Sequence, residues 1–148
     1  MRISAKGRYG LAAAISMAEN YNSGEYITVI SISERLGISK IYLEQVFSLL
    51  KRGGIVTSIK GAQGGYQLAR HPRQITVLDV LSAVELSLFE QAEETVKSKA
   101  PEIESAMRVS VFDEIDGAVK STLENITLSD LVNEAEKHKT NQSFMFFI

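Results

Sequence analysis

Two short amphipathic stretches, Thr28–Leu36 and Lys40–Arg52, are separated only by Gly37-Ile38-Ser39. Gly37 ends the first as a helix and Ser39 caps the second. Two short helices joined by a three-residue, glycine-containing turn form the helix-turn-helix signature. A run that is β-branched at four of its five positions, Ile55–Ile59, follows at once and reads as a strand. Lys60-Gly61-Ala62-Gln63-Gly64-Gly65 is then a turn, and Tyr66-Gln67-Leu68 a returning strand. A hairpin placed directly after a helix-turn-helix is a wing.

The flanking segments fit around this unit. Ser4–Asn22 reads as a first helix, with Ser4 as N-cap and Leu11, Ala14, Ile15 and Ala18 on one face. Asn22-Ser23-Gly24 stops it. The start of the second helix is open by a few residues, because Ser31 with Glu34 forms an alternative capping box. Gly53-Gly54 ends the third helix. Thr76-Val77-Leu78-Asp79 carries a capping pattern that opens a helix through Val84. Ser87–Ala100 is charged and weakly patterned, a loop or frayed helix. Pro101 starts a long helix to Asn125, and Thr127-Leu128-Ser129-Asp130 opens another to about His138. Thr140–Ser143 is a polar spacer before the apolar ending Phe144–Ile148. The expected architecture is mostly α with one small β-hairpin. A winged helix-turn-helix domain spans 1–73, connector and dimerisation helices 74–139, and an apolar tail 140–148.

Charge divides along the same line. Residues 1–73 carry ten Lys/Arg and four Asp/Glu, net +6, whereas 74–148 carry six and fourteen, net −8. A basic module joined to an acidic one points to a polyanion partner on one side only. On a helical wheel with Lys40 at zero, Leu43, Val46, Phe47 and Leu50 fall within ~240–340°, with Tyr42 and Leu49 at the border of that arc. Lys40, Ile41, Glu44, Gln45, Ser48, Lys51 and Arg52 occupy ~0–140°. One face is core. The other carries side chains suited to phosphates and base edges: Gln pairs with adenine, Glu accepts from a cytosine amino group, and Ser is permissive. An ordinary surface helix shows the same pattern, and the adjoining wing and the basic charge favour the DNA-reading alternative.

In the wing turn, Gly61, Gly64 and Gly65 let backbone N–H groups approach phosphates, Lys60 adds charge and Gln63 a minor-groove donor. A hairpin turn with no partner is the bland alternative. A nucleotide-phosphate loop is disfavoured, because the Gly-Lys-Ser/Thr ending is absent and the turn joins strand to strand. Lys6 and Arg8, near the start of the first helix, either clamp phosphate or are solvated. Met107, Val111, Ile115, Val119 and Leu123 recur at four-residue spacing. That stripe packs either on the same helix of a second chain, the preferred reading, or on the first helix of its own. Two-fold pairing suits this class, since two half-sites double the contact. Gly117 falls on the polar side of this helix, without an evident reason.

Enzymatic and metal chemistry find little support. The chain has no cysteine and two histidines, His71 and His138. Disulfides, thiolate zinc sites and cysteine-ligated clusters are excluded, and a transition-metal site built by the protein is disfavoured. No nucleophile–base pair stands out, and the carboxylates Asp113, Glu114 and Asp116 lack a histidine partner. No catalytic residue, metal or cofactor is expected. With no membrane-spanning run and no signal-peptide layout, the chain is expected in the cytoplasm. The 45% hydrophobic content suffices for a core.

Met1–Gly10, Gly37-Ile38-Ser39 with Tyr42-Leu43-Glu44-Gln45, Gly61–Tyr66 and Ile126–Leu131 together resemble the Rrf2 family of bacterial transcription regulators. The resemblance covers nearly the whole chain. It implies a winged helix-turn-helix homodimer on double-stranded DNA, with the long helix as dimer interface. It implies DNA contacts from Ser39, Lys40, Tyr42, Glu44 and Gln45, and from Lys60 through Gly65. Many members hold an iron–sulfur cluster on three cysteines after the wing. Leu88–Ala100 has none here, so cluster sensing does not carry over. Ala62 stands where the wing turn usually has Pro, and Gln63 where Gly is common. These departures and the Phe-Met-Phe-Phe-Ile ending resemble the cysteine-free branch that represses cysteine-metabolism genes and works with cysteine synthase. The tail has two readings: it packs on its own dimer, or it offers Phe146, Phe147 and Ile148 with the terminal carboxylate to a partner's pocket. The rival to a DNA-binding repressor is accordingly an interaction module that binds a metabolic enzyme such as cysteine synthase through this tail.

Overall fold

The computed structural model describes residues 3–60 and 64–146, with backbone alone for 143–146. The first helix, α1 (Ala5–Glu19), starts where Ser4 Oγ accepts from the Gly7 N–H (3.2 Å). It ends three residues before the sequence expectation. Asn20 closes it, its N–H reaching back to Met17 O (3.1 Å) and its amide donating to Ser16 O (3.2 Å). Tyr21–Ser23 then forms a separate 3-10 turn. Thr28, not Ser31, caps α2 (Val29–Leu36), which settles its open start. Gly37, at φ +68°, ends it. Ser33 Oγ donates to Ile38 O (2.6 Å), locking the turn into α3 (Lys40–Arg52), whose cap is Ser39.

Strand β1 (Val56–Ile59) begins one residue later than the β-branched run suggests, for a specific reason. Ile55 belongs to the end of α3. Its N–H donates to Leu50 O (2.9 Å), the Gly54 N–H to Lys51 O (3.0 Å), and Gly54 sits at φ +74°. This is a full Schellman motif, with Leu50 and Ile55 as its buried hydrophobic contact. Strand β2 (Gly65–Leu68) pairs antiparallel with β1, from Val56↔Leu68 to Ile59↔Gly65. Ile27 adds a one-residue bridge to Tyr66 through two 2.8 Å hydrogen bonds. The hairpin is thereby pinned to the segment that leads into α2.

Helix α4 (Val77–Val84) starts at a complete capping box between Thr76 and Asp79. The same Thr-x-x-Asp arrangement, Thr127 with Asp130, opens α7 (Leu128–Phe146). The two starts lie side by side, bridged at Thr76↔Thr127. Ser87–Ala100 is loop and turns. The long helix is continuous from α5 (Pro101–Met107) through a π-helical turn at Arg108–Phe112 into α6 (Asp113–Glu124). A residue spacing of four drifts around a regular helix, whose turn is 3.6 residues. The wider π turn counters part of that drift at Arg108–Phe112.

Helix α7 corrects the expectation of a helix end near His138 and a polar spacer. Thr140–Ser143 is helical, and the helix runs to Phe146. Neither Gly nor Pro interrupts it, and Glu134 meets His138 (3.1 Å) one turn on.

The main core gathers Ala13, Ala14 and Met17 of α1, Leu43, Val46, Phe47 and Leu50 of α3, Val80 and Val84 of α4, and Leu128. Phe47 meets the Tyr66 ring at 4.7 Å and so ties α3 to the hairpin. This core runs across the expected boundary at Arg73.

Two glycines make opposite expectations. Gly65 lies at φ +146°, and a Cβ there would sit 3.1 Å from Ile27 O. Gly117 has ordinary helical backbone with open space around it, and nothing in the fold explains its choice. Gly65→Ala should destabilise the protein by about 1–3 kcal/mol. Gly117→Ala should stabilise it by about 1 kcal/mol. Urea unfolding measures both.

Candidate nucleic-acid interface

Helix α3 presents the surface on which the functional reading turns. Leu43, Val46, Phe47 and Leu50 are fully buried, and Tyr42 and Leu49 are half-buried along the edge. Lys40, Ile41, Glu44, Gln45 and Ser48 are exposed, as the wheel requires. Lys6 of α1 lies against this face. Together with Ile41, Glu44, Gln45, Ser48 and Leu49 it lines one open concavity. The rings of Tyr9 and Tyr42 meet edge-on at 5.2 Å and fix the start of α1 against the start of α3. Tyr9 was not singled out from sequence. Its spacing from Lys6 along α1 was the available signal.

Several of the expected contact residues also have structural tasks. Ser39 Oγ accepts the Tyr42 N–H (3.2 Å), so its first task is to cap α3. Lys40 Nζ lies 3.6 Å from Glu44 Oε1, an exposed pair worth little in energy but enough to bias both side chains. The N-terminus of α1 already has an anion. Glu85 Oε2 accepts from Ser4 N–H (2.9 Å) and Ser4 Oγ–H (2.6 Å). Any contribution of this helix end to phosphate binding therefore falls to the Lys6 and Arg8 side chains, with Arg8 exposed and Lys6 half-buried.

In the wing, Lys60 is exposed at the end of β1 and Gly64 is half-buried at the start of the return. Gly61 and Gln63 lie outside the described residues. Gly65 is paired to Ile59 and pressed on Ile27, so a structural need accounts for it without DNA.

Of the basic residues, Arg35 is held by Glu19 (2.7 Å), and Arg70 is held by Gly54 O (3.2 Å) and Asp79 (3.5 Å). Among the described residues, Lys6, Arg8, Lys51, Arg52, Lys60 and Arg73 take part in no ion pair. Lys51 and Arg52, exposed in the last turn of α3, add two cations that the wheel had placed on the reading face.

The expected dimer residues divide. Leu123 is buried against Val77 and Leu81, with Val119 packed beside it, so these two sit on α4 of their own chain. Met107 is half-buried. Val111 and Ile115 are 45% and 53% exposed, as is Ile103 at 53%. Phe146, in backbone only, ends α7, and Phe147 and Ile148 lie outside the described residues. No described helix is long and apolar enough to cross a membrane.

A helix-turn-helix with a pinned hairpin and an exposed polar reading helix defines a winged helix-turn-helix transcription regulator that binds DNA. Comparison with known proteins makes the assignment specific. The family model of Rrf2, described as an iron-dependent transcriptional regulator, matches residues 3–134. The transcriptional regulator IscR of Cronobacter sakazakii is 38% identical over 92% of this chain and 83% of its own length. The structure of T. potens IscR superposes with a TM-score of 0.73 at 34% identity, covering 99% of this chain and 96% of that one. The structure of CymR, the global cysteine regulator of B. subtilis, gives 0.72 at 34% identity, covering 90% and 98%. The chain belongs to the Rrf2 family.

The donor set does not fit the iron that the family description names. Protein-bound iron–sulfur clusters are held chiefly by cysteine thiolates, and this sequence has none. Among the described residues no group of three or more His, Cys, Asp or Glu is placed to hold a metal ion.

Gln45→Ala should flatten sequence preference while leaving bulk DNA affinity nearly intact. Lys60→Ala should weaken all duplexes alike and lower the salt slope by about one. Titrations of a selected and a scrambled duplex across a salt series separate the two, and equal loss of preference in both variants would contradict this division of labour.

Proposed function

We propose that the protein is a cytoplasmic, homodimeric repressor that reads two-fold-symmetric operators and controls genes of cysteine or sulfur metabolism without an iron–sulfur cluster. The observation that carries the DNA-reading part is the concavity where Lys6 meets the exposed face of α3. Phosphate contacts from Lys6, Arg8, Lys40 and Lys60 would supply affinity, and Glu44, Gln45 and Ser48 would supply sequence preference, with Ser39, Tyr42 and the turn from Gly61 through Gln63 and Gly64 to Gly65 alongside. No catalytic activity is part of this reading.

Dimerisation is supported by Ile103, Val111 and Ile115, apolar and uncovered along the long helix. A second copy of the same helix is the natural cover, and Met107 joins that seam. The sulfur assignment is supported by two facts: the chain lacks the thiolates a cluster needs, and it is as similar to the cysteine regulator CymR as to T. potens IscR.

The tail supports a second, compatible reading. The sequence ends in the apolar run Phe144–Ile148, and Phe146, Phe147 and Ile148 with a terminal carboxylate have the chemistry to dock in a pocket of cysteine synthase or a similar enzyme.

Ile115→Glu should convert a dimer to a monomer in sedimentation and lower specific DNA affinity at least tenfold. Deleting Phe146–Ile148 should leave DNA binding intact and abolish binding to cysteine synthase. A persistent dimer contradicts the interface, and unchanged enzyme binding contradicts the docking tail.

A further inference from the structure

Among the described residues of 1–73, Ile41 is the most exposed large apolar side chain, at 73%. It lies in the first turn of α3, the second residue after the Ser39 cap. Nothing in the fold uses it. The cap is made by Ser39 Oγ, the buried contacts by Leu43, Val46, Phe47 and Leu50, and isoleucine is a poorer helix former than its neighbours Lys40 and Glu44. An isolated exposed Ile needs no explanation in general. This one sits in a particular place. By helical geometry it points within ~20° of Ser48 and ~40° of Gln45, near the middle of the exposed arc. With Lys6, Glu44, Gln45 and Ser48 it lines the same concavity.

Recognition helices of this class contact base edges with their N-terminal residues. The major groove presents one apolar group there, the 5-methyl of thymine, and apolar side chains read it by contact. We propose that Ile41 is a specificity-determining residue that reads a thymine methyl in each half-site, beside the polar readout by Gln45. This rests on the DNA-reading function proposed above and adds a base class to it. An apolar side chain cannot satisfy the donors and acceptors of a G·C edge, so Ile41 also disfavours G·C at the contacted step.

The test uses a duplex recovered by selecting random DNA on the full-length protein. Each thymine is replaced singly by uracil, which removes the 5-methyl and leaves Watson–Crick pairing unchanged. The wild-type protein should lose about fourfold in affinity at one thymine per half-site, the effect of one methyl-sized group. Ile41→Ala should show no penalty there, and Ile41→Val, which keeps a branched apolar side chain, part of it. Binding of all three to scrambled DNA should agree, which reports an intact fold and intact phosphate contacts. If Ile41→Ala keeps the wild-type uracil penalty, or no thymine methyl matters to the wild type, the inference fails while DNA reading stands. If no sequence is enriched in the selection, both fail.

Discussion

Close approach of two helices to α4 is the constraint on which the rest of the molecule depends. A Cβ at Gly10 would meet Val84 at 3.0 Å, and one at Gly7 would meet the Glu85 carboxylate at 2.6 Å. From the other side, a Cβ at Gly53 would meet that of Ala83 at 2.5 Å. Helix α4 is thus gripped by α1 and by the end of α3, while its Val77 and Leu81 receive Leu123 from α6. Interiors pack as densely as organic crystals, so helices this close have little freedom to slide. The grip determines where the start of α1 lies, and so sets Tyr9 and Lys6 against the exposed face of α3. A segment that reads from sequence as a connector is therefore the hub joining the basic module to the acidic one.

Electrostatics follow from this geometry. A count of ten basic residues suggests a uniformly positive module. The fold instead engages Arg35 and Arg70 in tertiary contacts and concentrates other cations at the start of α1, on α3 and on the wing. Exposed ion pairs contribute little to stability, so their role here is placement. Of the acidic residues after Gln74, Asp79 and Glu85 are engaged at helix starts, by Thr76 and by Ser4, and most of the others lie on the 87–100 loop and the long helices.

Much of the fold was legible in the sequence, because local chemistry and tertiary need coincide. Gly37 and Ser39 gave the turn, Thr76–Asp79 and Thr127–Asp130 gave two helix starts, and the wheel separated the buried from the exposed side chains of α3. The misses share a cause, competition between local motifs that a residue pattern does not rank. Ile55 has strand propensity but closes the Schellman motif of α3. Asn20 ends α1 before the Asn22-Ser23-Gly24 stop is reached. Thr140–Ser143 reads as a spacer, yet the penalty on each polar residue is too small to break a helix already running. The π turn at Arg108–Phe112 leaves no composition signal. The wheel placed Gln45 and Ser48 on the exposed face of α3, where they lie, whereas the placement of Lys6 against α3 and the engagement of Ser4 with Glu85 depend on tertiary packing and could not be read from spacing.

The central claim is that the Lys6–α3 face reads sequence and does not merely neutralise phosphate. Selection of sheared genomic DNA on the purified full-length protein near physiological salt, read by sequencing, tests it most directly. Enrichment of a few two-fold-symmetric sites, with half-sites about one helical turn apart, is the expected result. Uniform, salt-labile recovery of all DNA would contradict it.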